Sequence, residues 1–341
     1  PLLKKKELIF LQSIGPRLGG LLTKDIGELK RIFLSPGPIF DPEDRMDDYW
    51  GYTEAFYSVG FRPGDVVQVT FNYHLSPAGL MFEEPLRNLG CASIPAGPTD
   101  PGTQLDIMQK LRVSGYVGTA SYLMHLAQKA EEKGINLRKD LFQEVAFVTG
   151  ERLSEKMRNQ LEKKFDIILR QGYGTADVGC IGYECFHKTG LHISNRCYVE
   201  ICHPDTGIPL KDGEVGEIVV TSFNKTYPLI RLATGDLSYI DRAPCACGRT
   251  SPRLGSIVGR VDTTARIKGM FVYPHQVEQV MARFEDIKRW QIEVINPGGI
   301  DEMILYVEAS NFHQEDELLH LFRERIKLRP ELKVLAPGTL P

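Results

Sequence analysis

Between residues 66 and 170 short apolar runs alternate with stretches of helical spacing, and this alternation restricts the fold more than any other feature of the chain. The runs are VVQVTF (66–71), CASIPA (91–96), GYVGTA (115–120), EVAFVTG (144–150) and DIILR (166–170); the helical stretches fall at about 77–89, 102–112, 121–133 and 153–164. That order predicts an α/β fold with a mostly parallel sheet and crossover helices. After residue 190 the pattern changes: CYVEICHP, a turn at Asp205, Thr206 and Gly207, GEIVVTSF and YPLIRLATGDLSYI read as an antiparallel β region without long helices. A further change at Gly259 and Arg260 opens an α+β module, with helices in VYPHQVEQVMARF and QEDELLHLFRERIK and strands in WQIEVI and MILYVEA. The predicted organisation is a large domain over 1–258, with its α/β sheet to about 190 and a β subdomain over 191–258, followed by a small mobile domain over 259–341.

Charge and cysteine content narrow the functional classes. Lys+Arg 41 against Asp+Glu 44 leaves a net charge of -3, and no basic run with interleaved aromatics suggests a nucleic-acid track. No segment reaches the roughly 18 apolar residues a membrane span needs, so a cytoplasmic protein is expected. Seven cysteines, an odd number in a long chain, argue against a secreted disulfide framework and direct attention to thiol or metal chemistry.

Ligands of open α/β sheets bind outside the carboxyl ends of the strands. VTGE (148–151) and QGYGTAD (171–177) each end a predicted strand and are expected side by side there. Tyr173 offers a face for a base to stack on, Gly172 and Gly174 permit close backbone approach in a strand-to-helix turn, and Asp177 offers a carboxylate to a hard cation. A plain tight turn with a solvated aspartate explains the same residues about as well. In LIRLATGDL (229–237) the carboxylate of Asp236 ends an apolar run and suits a ribose diol. In GRVDTTARIKGMFVYPHQVEQVM (259–281) Arg260 is placed to meet a ribose or phosphate, and Asp262 falls at the domain junction.

Taken in order, RQGYGTADVG, PLIRLATGDLSYI, CACGRTSPRL and GRVDTTARIKGMFVYPHQVEQVM resemble the phenylacetate–coenzyme A ligase branch of the adenylate-forming enzymes, over roughly residues 50 to 341. The resemblance implies activation of a carboxylic acid with ATP to an acyl-adenylate, then transfer to coenzyme A. It implies a nucleotide site of Gly150, Glu151, Gly172, Tyr173, Gly174 and Thr175, with magnesium on Asp177, the ribose on Asp236, Arg260 on the nucleotide, and a hinge at Asp262 with Gly269 in the following turn. Asp177 stands where the family usually has Glu, and Ala176 replaces a usual Ser or Thr, so one hydroxyl contact to phosphate is missing. The regions that wall the family's acyl pocket fall on Phe71, Tyr73 and His74 and on Tyr122; aromatic lining suits an aryl or arylacetyl acid, although aromatics at strand ends are also plain core. The expected partners are the acid and coenzyme A, without nucleic acid or membrane, and a homodimer is the candidate assembly.

Two departures from the family pattern bear on the reaction. Where the family has a Ser/Thr/Gly-rich pyrophosphate cradle ending in Lys, this chain has RIFLSPGPIFDPED (31–44): Pro36, Pro38 and Pro42 supply no N–H donors, and Asp41, Glu43 and Asp44 are expected to repel phosphate. The family's adenylation lysine falls beyond the closing PGTLP, and Lys333 is the last lysine of the sequence. The alternative function is therefore a non-catalytic AMP sensor or subunit that kept Tyr173, Asp236 and Arg260.

Separately, Cys185 and His192 in CFHKTGLH, with Cys245 and Cys247 in CACG, make a closed three-thiolate, one-imidazole set for structural zinc, with His187 as an alternate ligand. The C-x-C spacing is tighter than the usual C-x2-C, and four unrelated side chains at a domain face are the competing explanation. Cys180, Cys197 and Cys202 read as small buried hydrophobes on strands.

Overall fold

The computed structural model describes residues 1–267, 270–296, 301–310 and 312–340, so Gly269 of the expected hinge turn lies outside the described residues. The chain forms two compact units, residues 1–234 with 238–256, and residues 235–237 with 257–341.

In the first unit the five apolar runs become the strands Val66–Val69, Ala92–Pro95, Gly115–Gly118, Val145–Val148 and Ile168–Thr175. They pair in parallel, with Val66–Val69 between Ala92–Pro95 and Gly115–Gly118, and the other two following. The crossovers are the helices Ala78–Asn88, Pro101–Lys110, Ala120–Glu132 and Glu155–Phe165. Their starts are set locally: the Asp100 carboxylate accepts from the N–H groups of Gly102 and Thr103 with Pro101 at the first helical position, and the Ser154 hydroxyl accepts from Met157. Alternate side chains divide between two cores. Val67, Val117 and Phe147 join Tyr52, Phe56 and Phe82 on one face, while Tyr116, Ala146 and Val148 join Leu105, Leu126 and Leu161 on the other.

The sheet does not end where the apolar run DIILR ends. Ile168–Thr175 continues through the glycines and turns back as the antiparallel strand Gly179–Glu184, which is followed by Leu191–Ile193, Arg253–Leu254 and Ile240–Asp241, making nine strands among the described residues. The glycine-rich segment is therefore one arm of a β-hairpin, not the strand-to-helix turn expected from sequence. Its glycines are required by the core itself: a Cβ on Gly172 would stand 2.2 Å from the Phe147 ring, and one on Gly174 would stand 2.2 Å from the Tyr52 hydroxyl. A bulge between Tyr173 and Gly174 shifts the register of this hairpin.

Cys197–Cys202 and Gly216–Ser222 pair antiparallel in a second sheet, in which Leu3 and Lys4 pair in parallel with Leu232 and Ala233. The helix Lys5–Ile14 and the hairpin Arg31–Ser35 with Ile39–Glu43 have no counterpart in the sequence reading.

In the second unit Asp236 lies opposite Arg260 in an antiparallel bridge. Arg289–Ile295 and Glu302–Glu308, read as strands from the two apolar runs, pair antiparallel, and Glu331–Leu335 adds a parallel third strand. The helices Pro274–Met281 and Glu315–Ile326 cover a core that includes Val277, Val280, Leu305, Leu318 and Phe322. Among the described residues no helix is long and apolar enough to cross a membrane.

Candidate functional site

Val148 lies opposite Gln171 in the parallel register, so Gly150 and Glu151 follow one strand beside the arm that carries Gly172 and Tyr173. Gly150 adopts a left-handed φ of 82°, and the Phe71 ring stands 3.5 Å from where its Cβ would be. The Glu151 carboxylate accepts from the Ser121 N–H at 2.6 Å and from the Ser121 hydroxyl at 2.8 Å, at the positive end of the helix Ala120–Glu132. The Thr175 hydroxyl accepts from the Val178 N–H at 3.3 Å and closes the turn that presents Asp177.

Asp177 is the charged centre of this region. Its side chain is almost fully buried, and Lys5 Nζ, from the first residue of the helix Lys5–Ile14, lies 2.7 Å from its Oδ2. Asp41, from the second strand of the hairpin, is 1% exposed. Burial first, and then the charge of Asp177, push its carboxyl up to about 8 against the opposing pull of Ser35 and Lys5. Near neutral pH, Asp41 thus retains much of its proton, and one lysine balances one carboxylate.

The other acidic groups of the hairpin carry their own counterions. Glu43 is met by Lys30 at 3.3 Å and Arg31 at 3.0 Å, and Asp44 by Lys24 at 2.7 Å and by the Thr226 hydroxyl. The repulsion of phosphate expected from Asp41, Glu43 and Asp44 is therefore largely offset by protonation of Asp41 and by these neighbouring cations. The absence of N–H donors at Pro36, Pro38 and Pro42 is not. Sequence reading missed Lys5 and Asp41 as neighbours of Asp177; the only local signal was the run Lys4, Lys5, Lys6 ahead of an apolar stretch.

In the second unit, three residues singled out from sequence form one ion-paired line. Arg260 donates from NH1 to Asp236 Oδ1 at 3.0 Å and from Nε to Asp262 Oδ1 at 3.0 Å. Burial opposes its charge, but Asp262 and Asp236 outweigh it and hold the guanidinium above its ordinary range. A Cβ on Gly235, whose φ is 82°, would stand 2.9 Å from that guanidinium, so the glycine is what lets Arg260 cross the strand.

The aromatic candidates separate. Phe71 and Tyr73 both pack on the core of Tyr52, Phe82 and Phe147; Phe71 lies 5.1 Å from the Phe82 ring, and Tyr73 fills the space over Gly79. Tyr122 packs instead on the opposite face of the sheet, and its hydroxyl donates to the Thr99 carbonyl at 2.8 Å.

The four candidate metal ligands converge. Cys185 Sγ lies 3.7 Å from Cys245 Sγ, Cys247 Sγ lies 3.4 Å from His192 Nε2, and all four ligand atoms fall within 4.8 Å of one another. His187 is not in the group. The remaining nitrogen of His192, Nδ1, is 3.2 Å from the Ser251 hydroxyl, which leaves Nε2 facing the thiols. Burial raises the Cys185 thiol; burial acts on Cys245 too, yet the Cys247 N–H and the Thr189 hydroxyl draw that thiol down to about 5, toward the thiolate a metal requires. Cys180, Cys197 and Cys202 are buried on strands, as expected.

The model of the AMP-binding enzyme family matches residues 50–225, and that of the AMP-binding enzyme C-terminal domain matches residues 269–341. A phenylacetate–coenzyme A ligase of Thermus thermophilus is 32% identical over 312 residues, covering 83% of this chain and 70% of its own. A phenylacetate–coenzyme A ligase of Pseudomonas putida is 30% identical, covering 83% of this chain and 67% of its own. Among solved structures, an open conformation of 2-hydroxyisobutyryl-CoA ligase, in complex with 2-HIB-AMP and CoA, superposes with a TM-score of 0.87 at 23% identity, over all of this chain and 79% of that one.

Proposed function

The chain belongs to the AMP-binding enzyme family, in its phenylacetate–coenzyme A ligase branch, and on that premise we propose that its acid substrate is an aryl or arylacetic acid. It is an AMP-forming acid–thiol ligase. In the first half-reaction a carboxylate oxygen attacks the α-phosphorus of ATP, the bond to the β-phosphate oxygen breaks, and pyrophosphate leaves. In the second, the coenzyme A sulfur attacks the acyl carbon, AMP leaves with the bonding pair, and the thiol proton passes to solvent. What carries this reading is that both units have counterparts in the family, the first in the AMP-binding body and the second in its C-terminal domain. A sensor that only binds AMP is not favoured.

In the proposed site, Tyr173 stacks on the base beside Gly150 and Glu151, and the backbone of Gly172, Gly174 and Thr175 faces the phosphate. Asp236 accepts from the ribose hydroxyls while Arg260 holds its carboxylate in place and contacts the nucleotide. Asp262 is the proposed hinge between a large domain over 1–258 and a small one over 259–341. Phe71 and Tyr73, which share one core, are better placed to wall an acyl pocket together than with Tyr122.

Magnesium, when bound, would neutralise phosphate charge; Asp177 fits it, being a nearly buried carboxylate already paired with a cation, Lys5. Zinc is the second metal of the reading, on Cys185, His192, Cys245 and Cys247, and its role there is structural. A cytoplasmic setting accords with seven cysteines, none of them in a disulfide. A homodimer is the proposed assembly, to be read from mass by light scattering. Pyrophosphate release on adding ATP, magnesium and phenylacetate, followed by coenzyme A thioester formation, tests the function. Thioester formation from short aliphatic acids, with none from phenylacetate, would overturn the substrate class alone.

A further inference from the structure

Two edges of the cluster of Cys185, His192, Cys245 and Cys247 match those of a filled tetrahedral site, and all four ligand atoms fall within 4.8 Å of one another. With Zn–S about 2.3 Å and Zn–N about 2.0–2.1 Å, a regular tetrahedron has S···S edges of about 3.8 Å and S···N edges of about 3.5 Å. The chain holds Cys185 and Cys245 at 3.7 Å and Cys247 and His192 at 3.4 Å. Two ligands come from the sheet: Cys185 follows the strand Gly179–Glu184, and His192 lies within Leu191–Ile193. The other two come from the irregular segment between Ile240–Asp241 and Arg253–Leu254.

The ladder then connects this cluster to the nucleotide loop. His192 lies opposite Tyr183, and Tyr183 lies opposite Gly172, so a ligand and a loop glycine stand on one transverse line two strands apart, about 10 Å. Side chains of the same face continue the line. The rings of Tyr183 and His192 are 6.3 Å apart, Arg249, two residues past Cys247, lies over the Tyr183 ring at 5.8 Å, and Phe147 fills the space above Gly172. The Tyr183 hydroxyl donates to Glu54 at 2.5 Å, which fixes the ring between the two sites.

We propose that zinc bound by Cys185, His192, Cys245 and Cys247 sets the position of the hairpin arm carrying Gly172 and Tyr173, so that the affinity for adenine nucleotide depends on zinc. This rests on the zinc and nucleotide readings above and adds the coupling between them. Without the ion, the segment holding Cys245, Cys247 and Arg249 loses its anchor, the cover over Tyr183 loosens, and the bulged end of the arm loses its rigid neighbour.

The test uses the whole chain purified without chelators. Elemental analysis is expected to give about one zinc per chain. Zinc is then removed with a chelator, the fold is followed by circular dichroism, and AMP binding is measured by calorimetry before removal, after removal and after zinc is restored. A loss of AMP affinity of at least tenfold with the fold retained, reversed by zinc, supports the proposal. Unchanged affinity in the zinc-free chain overturns the coupling and leaves the zinc site standing. A chain that neither carries nor takes up zinc overturns both, and a zinc-loaded chain that does not bind AMP overturns the nucleotide reading on which the coupling rests. Should removal unfold the chain, Cys247→His keeps four ligands but moves one: zinc retained with altered AMP affinity supports the coupling, and zinc retained with unaltered affinity refutes it.

Discussion

Lys5 Nζ and Asp177 Oδ2 stand 2.7 Å apart, one from the first residue of the helix Lys5–Ile14 and the other from the turn that closes the glycine-rich hairpin. The lysine supplies positive charge at the carboxylate proposed for magnesium, so on that proposal the two cations compete for one anion. Lys5→Met should therefore lower the melting temperature by several °C in magnesium-free buffer, because Asp177 and Asp41 lose their shared counterion. Added magnesium should raise it by more than it raises the wild type. Equal magnesium shifts in both proteins would remove Asp177 from the metal site.

Asp41 makes stability depend on pH in a defined direction. Unfolded, its carboxyl titrates near about 4; folded, burial and Asp177 place it at about 8. Between those values the folded chain holds a proton that the unfolded chain has lost, so stability falls as pH rises through the window and levels above it. Asp41→Asn removes the titration. In urea unfolding without magnesium, the variant should gain on the wild type steadily from about pH 5.5 to 7.5 and then level off, and a difference that stays constant over that range would contradict the assignment.

Asp236 accepts from Arg260 at 3.0 Å, which orients the carboxylate proposed to hold the ribose diol. Asp236→Ala should weaken AMP binding by about 2–3 kcal/mol, the scale of charge-assisted hydrogen bonds. Calorimetry showing unchanged affinity would exclude Asp236 from the nucleotide site.

Asp262→Pro should preserve AMP binding and slow one half-reaction far more than the other, because proline fixes φ near about -65° and removes an N–H at the proposed hinge. The substitution also removes a partner of Arg260, so Asp262→Ala serves as the charge control. Adenylation is read from pyrophosphate, thioester formation from the acyl-adenylate. Equal slowing of both, or equal effects of Pro and Ala, would show that Asp262 is no hinge.

The parallel half of the first sheet was legible because each strand is a short apolar run between helices, a pattern fixed for the central strands Gly115–Gly118 and Val145–Val148 by burial on both faces. The antiparallel continuation through Gly172 and Gly174 was not, since glycine carries no strand signal and its reason there is distant: the Phe147 ring and the Tyr52 hydroxyl. The hairpin over 31–43 was hidden for a related cause, its prolines and acidic residues masking the pairing of Phe33 with Asp41. For the candidate site, Asp236, Arg260 and Asp262 could be singled out because local motifs carry them. The roles of Lys5 and Asp41 could not, because both depend on side chains far away in sequence. The four candidate metal ligands were legible by residue type alone; what sequence could not supply is their convergence, with separations of 3.7 and 3.4 Å between two pairs of them.

The pairing of Leu3 and Lys4 with Leu232 and Ala233 has a consequence for how the chain is made. Leu3 and Lys4 emerge from the ribosome long before their partner strand exists; at about 5–20 residues per second the wait is on the order of ten seconds or more. Lys5 waits likewise for Asp177. During synthesis the apolar face of the helix that follows is covered only in part: Leu8, fully buried in the finished fold, shares its cluster with Leu18, Leu29 and Ile39, which follow soon, and with Tyr227, Leu229 and Leu232, which are made much later. Closing so long a loop is also a late and entropically costly event in refolding. The segment Leu3–Ile14 is thus expected to be the last part of the first unit to dock, and its docking completes the charge balance around Asp177.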